Sequence, residues 1–416
     1  SKNLRFLVGF GAKPQRNFED KKMENLPIVH VVNGRQKKLL QGHPWVYGNE
    51  IERVEGEIED GGLVTVVDFR GRYMGTGFYN SKSLITVRLL THRQEEITDE
   101  LIASRVKAAC DYRRFVMNRP GTDSCRLIYG EADRLPGVIA DRFGGVIVLQ
   151  VLALGMERFT QVIADALLEC EKPDCLLLQN DDAIRRKEGM ECFTRVLYGK
   201  LPEENVIHEN GIKLAVDVLG GQKTGYFLDQ KDNHLFVRQF CKDARVLDCF
   251  SYIGAFALNA AAAGAKEVTA VDISEAAVQL IEKNAALNGA DITAVCANCF
   301  DFLRAQVKAG EKYDVVVLDP PAFTKAHANM ASACRGYKEI ALSAMRLLPA
   351  GGVLATHSCS YHMPEEVFVN TVLSAAQDLH RQVRIITLRR QDIDHPVLAG
   401  YPESHYLKSL WLQMLD

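Results

Sequence analysis

The residues best suited to chemistry are Asp319 and Cys359, set in Asp319-Pro320-Pro321-Ala322-Phe323 and Ser358-Cys359-Ser360. Each segment ends a short apolar run, YDVVVLD or GGVLATHSC, that reads as a buried strand. If the two strands are neighbours, an acid and a thiol meet in one pocket. An acid followed by two prolines places rigid acceptors for an exocyclic amine, which suits methylation of a guanine or adenine nitrogen. The thiol supports a different reaction. Carbon 5 of cytosine is a poor nucleophile, but a thiolate added at carbon 6 makes an enamine-like ring that can attack a methyl group. Loss of the carbon-5 proton then expels the thiolate. In that scheme Asp319 binds the exocyclic amine and nitrogen 3. The plainer reading of Cys359 is a small apolar side chain at a strand end. The flanking serines and the acid opposite favour catalysis.

The methyl donor is indicated by the remaining strand ends. Ligands of open α/β sheets sit at the carboxyl ends of the strands, which here also read Asp248-Cys249-Phe250, Asp272-Ile273 and Asn298-Cys299-Phe300. The turn FSYIGAFA holds a single Gly254 and lacks the GxGxxG of a dinucleotide site, and there is no Walker A sequence. An acid closing the first strand repels a phosphate. S-adenosylmethionine, with a sulfonium, an ammonium, a ribose and no phosphate, fits better. Asp272 is placed on the ribose hydroxyls, Asp248 near the methionine ammonium, and Asn298 on an adenine edge. Phe250 and Gly254 belong to the same turn. Upstream, GGQKTGYFLDQKDNH (220–234) reads as a loop whose backbone approaches the ligand at Lys223, Thr224 and Gly225, with Lys223 on the methionine carboxylate. Each acid taken alone is as readily a helix cap or turn former, and the glycines an ordinary hairpin end.

Such residues need a doubly wound α/β domain to hold them, and the pattern from 203 to 416 supplies one. Strand candidates fall at 244–250, 267–273, 291–298, 313–319 and 351–359, short apolar runs at helix-length intervals. Two more, 383–390 and 405–415, lack a clear helix between them, which predicts an antiparallel end to a seven-stranded sheet. SEAAVQLIEKNAALNG is a helix capped by Ser274 and stopped at Asn288–Gly289. Ahead of it, residues 96–202 read as an α+β domain. A helix over about 99–118 carries Arg105, Lys107, Arg113, Arg114 and Arg119, either a solvated face or an RNA contact. Residues 28–95 read as a small β-barrel of short β-branched runs separated by Gly/Asn/Asp turns. There Trp45 and Tyr47, beside Lys37, Lys38 and His43, form either a barrel-closing turn with a core Trp or an RNA-contacting edge. Residues 1–27 are a polar, weakly patterned extension.

Composition agrees. The 416 residues are 47% hydrophobic and 25% charged, an ordinary globular balance, and the length suggests about two to four domains. No apolar run is long enough to span a membrane, and the first residues read poorly as a secretion leader. The 11 cysteines are odd in number and irregularly spaced, which argues against a disulfide framework and for the cytoplasm. The one CxxC, Cys296–Cys299, has no second pair, so no metal site is expected. A net charge of −3 advertises no global attraction to nucleic acid.

Beyond these readings, VLDCFSYIGAFA, QKTGYFLDQ, VLDPPAFTK, CRGYKEIALSAMRLLPAGGVLATHSCS and DHPVLAGYPESHYLK resemble the RlmI-type family of large-subunit ribosomal RNA cytosine-5 methyltransferases, over about residues 28–416. The resemblance implies an N-terminal PUA-like RNA-binding barrel, a central α+β domain and a Rossmann-like class I methyltransferase domain. It implies S-adenosylmethionine as cofactor, ribosomal RNA as partner with no membrane, Cys359 as nucleophile and Asp319 as its partner. Self-association as a homodimer is left open. DPPAF also resembles the (D/N)PPY loop of amino-methylating enzymes, and relatives of the same architecture that methylate guanine lack the SCS cysteine. The chain departs from pattern twice. Ala322 stands where some RNA cytosine methyltransferases have a second cysteine, and Asn298 where family members often have Asp.

Overall fold

The computed structural model describes residues 26–323 and 329–416. The expected extension, 1–27, lies outside them except for its last two residues. The first unit is a six-stranded mixed sheet, β1 (Ile28–Val31), β2 (Trp45–Val46), β3 (Ile51–Glu55), β4 (Leu63–Val67), β5 (Tyr73–Tyr79) and β6 (Val87–Thr91), in the order β2-β6-β5-β4-β1-β3. Alternation in β1 and β4 sends Val29, Val31, Val64 and Val66 inward with Val46, Met74, Val87 and Leu89 to make its own core.

The second unit has the order β11-β10-β9-β8-β7, from β7 (Ser124–Tyr129), β8 (Val138–Phe143), β9 (Val146–Val151), β10 (Cys175–Asn180) and β11 (Phe193–Gly199). The helices Asp99–Val116 and Thr160–Glu171 cover it. The pattern missed β11 because this edge strand is largely exposed and has no buried face to give it an apolar period. A hairpin follows, β12 (Val206–Glu209) with β13 (Ile212–Ala215).

The third unit is a seven-stranded sheet. Its strands are β14 (Arg245–Cys249), β15 (Glu267–Asp272), β16 (Thr293–Cys296), β17 (Val315–Leu318), β18 (Val353–Ser358), β19 (Val383–Arg389) and β20 (Lys408–Met414), in the order β16-β15-β14-β17-β18-β20-β19. The first five run parallel, and β20 lies antiparallel between β18 and β19. The inner strands β17 and β18 are buried along their whole length, as continuous apolar runs require when helices cover both faces. One face packs Leu247, Val316, Leu354 and Leu412 under the helices Met330–Leu347 and Glu365–Asp378. The other packs Val246, Val315, Val317 and Trp411 under the helix Ala255–Ala262. The helix Glu275–Asn288 starts at Ser274, whose side chain accepts the Ala277 N–H at 3.3 Å, and stops at left-handed Gly289.

Two expectations about the N-terminal units are corrected by the structure. Of the basic residues over 105–119, Arg105 and Arg113 are buried and Arg119 is half-buried, while Lys107 and Arg114 stay exposed. Arg105 donates to the carbonyls of Leu90 and Arg134 at 2.8 and 2.9 Å, joining β6 to the central unit. Arg113 is buried against Asp133 at 2.6 Å, Arg114 reaches Glu171 at 3.0 Å, and Arg119 clamps Asp392 with bonds of 2.9 and 3.0 Å. Trp45 is neither barrel core nor free edge. Its indole N–H donates to Glu131 at 2.7 Å and its ring meets Tyr401 edge-on at 4.7 Å. It therefore ties the barrel to the central unit and to the loop after β19.

Candidate active site

The carboxyl ends of β14, β15, β17 and β18, with the segment before β14, enclose a cavity of about 310 Å³. Among the predicted residues Phe250, Asp272, Asn298, Asp319 and Cys359 line it, so the acid and the thiol do share one wall. Its described lining holds Asp229, Asp272 and Asp319 and neither Lys nor Arg. Such a wall repels phosphate and complements a cation, which fits a sulfonium ligand.

The turn after β14 is conformationally unusual. Phe250, Tyr252 and Gly254 all have left-handed backbones, with φ of 63, 51 and 87°. Two of the three are non-glycine, a strain typical of ligand-binding turns. Gly254 opens the helix Ala255–Ala262, and a Cβ there would press on Ile281 at 3.3 Å. Asp272 stands at the tip of β15. Its Oδ2 accepts the Tyr252 N–H at 3.0 Å and its Oδ1 the Ser274 N–H at 2.9 Å. The carboxylate thus locks two turns while lining the cavity. Asn298 caps the helix Cys299–Ala309 by accepting the Phe300 N–H at 2.9 Å. That bond can only be taken by its oxygen, so the amide NH₂ is the end left to offer an adenine ring nitrogen.

Five predicted residues do not line the cavity: Gly254, which shapes the turn, and four others. Asp248 is wholly buried beneath the turn, where one oxygen accepts from the Ser251 hydroxyl and the Ala257 N–H. Its other oxygen has no protein partner, and burial pushes the carboxyl up to about 7. Lys223, expected on a carboxylate of the ligand, pairs with Asp229 at 3.0 Å and lies 4.5 Å over the Phe227 ring. Thr224 points away from the site, its hydroxyl donating to Asp141, which also holds the buried Arg126. Gly225 serves packing: its φ is 133°, a Cβ would come within 3.1 Å of the Asp217 carbonyl, and its own carbonyl accepts from the Tyr252 hydroxyl at 2.9 Å. The 220–234 segment approaches the cavity on either side of the expected triplet, through Gln222 before it and Tyr226, Phe227, Asp229, Gln230 and His234 after it. The adjacent Asp-Gln pair in this chemistry-rich loop was the available signal.

Asp319 is partly buried and accepts from the Gln230 amide at 3.0 Å. Burial, with nearby Asp229, pushes its carboxyl up to about 7. Burial and then Asp319 raise the Cys359 thiol to about 11. Behind them the Tyr337 hydroxyl meets Ser358 at 2.9 Å. Cys299 is buried with its sulfur accepting the Phe250 N–H at 3.2 Å, whereas Cys296 is exposed, so this pair is split between core and surface.

This is the fold and site of an S-adenosylmethionine-dependent methyltransferase. The family model of that description matches residues 149–391, and a PUA-like domain model matches residues 29–92. The chain belongs to the family of proteins named ribosomal RNA large subunit methyltransferase I. It is 42% identical to the Klebsiella pneumoniae (strain 342) member over 388 residues, 92% of this chain and 97% of that protein. It is 41% identical to the Salmonella arizonae member over 390 residues, 92% of this chain and 96% of that protein. The fold is shared with a Streptococcus mutans chain classed as a SAM-dependent methyltransferase, at a TM-score of 0.80 and 20% identity, covering 93% of this chain and 99% of that one. A second solved methyltransferase, complexed with SAH, matches to the same extent. Among the described residues no helix is long and apolar enough to cross a membrane.

Proposed function

We propose that this protein methylates carbon 5 of a cytosine in large-subunit ribosomal RNA through a covalent adduct at Cys359. The observation that carries the chemistry is the meeting of Asp319 and Cys359 in one acid-walled cavity. The names of the relatives and the PUA-like match support ribosomal RNA as the substrate. When bound, S-adenosylmethionine supplies the methyl group as an electrophile. Asp272 and Asn298 are proposed to hold its ribose and adenine, with Phe250 against it.

The electrostatics suggest how base binding and nucleophile activation are linked. Burial raises the Asp319 carboxyl to about 7, so it can share a proton with nitrogen 3 of cytosine. Gln230 orients the carboxyl for this contact. Once that proton is shared, the negative charge that helps hold the thiol up is neutralised, and ionisation of Cys359 becomes easier. The target base has to leave its stack, because carbon 6 is attacked from above the ring.

The test is RNA carrying 5-fluorocytosine at the target site. Fluorine at carbon 5 cannot leave as a proton, so wild-type protein should be trapped covalently. Cys359→Ala should fold, bind cofactor, fail to be trapped and lose methyl transfer almost entirely. Near wild-type methylation by Cys359→Ala would sink the covalent reading in favour of nitrogen methylation at the DPPAF loop.

A further inference from the structure

A thiolate at Cys359 would form beside Asp229 and Asp319, and something must offset the accumulated negative charge. Lys408, the first residue of β20, lies opposite Ser358 in the antiparallel register. Its side chain is buried, and its ammonium donates to the Ser360 carbonyl at 2.5 Å and the Tyr406 carbonyl at 2.7 Å. The buried cations elsewhere each have a carboxylate: Arg113 has Asp133, Arg126 has Asp141, and Lys231 has Asp394. For Lys408 the structure shows two neutral carbonyls, and among the described residues no carboxylate within ion-pairing distance. A buried ammonium without a counter-ion is costly, and it is the arrangement expected where an anion is formed transiently. Ser360 directly follows Cys359, so the ammonium sits against the turn that carries the thiol.

Resting on the covalent reading above, we infer that Lys408 is a positioning residue for the nucleophile: it anchors the Ser358–Ser360 turn and stabilises Cys359 as a thiolate. The titratable groups facing the thiol are Asp319 from the end of β17, Asp229 and Lys223 from the segment before β14, the neutral Tyr337 from the helix behind, and Lys408 from β20. Glu365, from the helix after β18, faces Lys408 itself. Burial pulls the Lys408 ammonium down to about 8, against the opposing influence of Cys359 and Glu365.

The experiment is the pH dependence of iodoacetamide alkylation at Cys359, read by peptide mass spectrometry on the full chain without RNA. Lys408→Gln keeps amide donors for the two carbonyls and removes the charge. It should slow alkylation of Cys359 about tenfold or more below pH 8, where Lys408 carries its charge, and slow methyl transfer at pH 7 to a similar degree. Lys408→Arg should restore both. A Gln variant that titrates with wild type overturns the inference, as does an Arg variant shifted as far as Gln. Coupling is reciprocal, so a second measurement uses variants that keep the lysine. Side-chain NMR should find the Lys408 titration higher in Cys359→Asp, which holds an anion at the thiol position, than in Cys359→Ala, and equal titrations would defeat the inference even if the Gln variant did not fold. Trapping by 5-fluorocytosine with unshifted titrations defeats the lysine inference alone. Shifted titrations without trapping defeat the covalent reading alone.

Discussion

Two buried groups of charges lie on either side of the 226–234 segment, and they are built in opposite ways. Where the central unit meets the loop after β19, Lys231 pairs with Asp394 and lies 3.7 Å from Asp392, while Arg119 clamps Asp392 and His395 meets Asp394 at 2.7 Å. Burial works against the Asp394 charge, but Lys231 and His395 outweigh it and hold the carboxyl well below its usual range. In the pocket wall and beneath its turn the same residue types have weaker partners. Asp319 has an amide and Asp248 a hydroxyl and one backbone N–H, so burial prevails and both rise to about 7. The contrast is sharpest between two acids: Asp394, matched by cations, fastens units together, and Asp319 is left able to exchange a proton near neutrality. One acid in each group departs from it, since Asp392 is pushed up to about 6 by burial despite Arg119, and Asp229 in the pocket wall is held low by Lys223.

The most severe break is at the pocket. Asp319→Asn should cut methyl transfer by about three orders of magnitude or more, since the amide cannot share an acid proton with the base. It should leave the melting temperature unchanged or higher, because a poorly compensated buried acid is removed. A large loss of stability would show that Asp319 belongs with the fastening charges.

Next in size is the opposite experiment. Lys231→Met strands Asp394 and Asp392 without their buried cation and should cost about 3–5 kcal/mol in urea unfolding. Methyl transfer by the fraction still folded should stay close to wild type.

Protonation sharpens the same contrast. An acid whose pKa is raised by folding, as Asp319 is from 3.8 to about 7, binds its proton more tightly in the folded state. Its contribution is fully present below the unfolded pKa and is lost as pH rises through the folded one. Stability attributable to Asp319 should therefore fall by roughly 2–4 kcal/mol between about pH 4 and 7. Asp394, lowered by folding, acts in the other direction: its contribution is present above pH 3.8 and is lost on acidification below that value. Denaturant titrations at several pH values should show the neutral-side slope flattened in Asp319→Asn and the acid-side slope kept.

The smallest effect comes from a matched pair at the cofactor end. Asp272→Ala should weaken S-adenosylmethionine binding by about ten- to a hundred-fold, near 1.5–3 kcal/mol. Thr224→Val, which removes only the hydrogen bond to Asp141, should cost about 1–2 kcal/mol of stability and leave calorimetric affinity unchanged. Equal affinity losses would return Thr224 to the ligand site.

The α/β sheet, its antiparallel end and the meeting of Asp319 with Cys359 were all legible in the residue order. Buried parallel strands leave continuous apolar runs, and polar residues at their carboxyl ends stand out against them. The Ser274 cap and Gly289 stop were legible for the same local reason. What the order of residues could not decide was the partner of a charge. Arg113, Arg119, Lys223 and Thr224 have types that suit RNA or a ligand, yet Arg113 is taken up by Asp133 and Lys223 by nearby Asp229, while Arg119 and Thr224 meet Asp392 and Asp141 only after the chain folds back across more than 80 residues. Trp45 likewise depends on Glu131 and Tyr401. Local patterning specifies which elements form, because backbone hydrogen bonding and burial repeat along the chain. Tertiary structure alone assigns each buried charge a counter-charge or none, and that assignment separates Lys231, a fastener between units, from Lys408 on the Ser358–Ser360 turn.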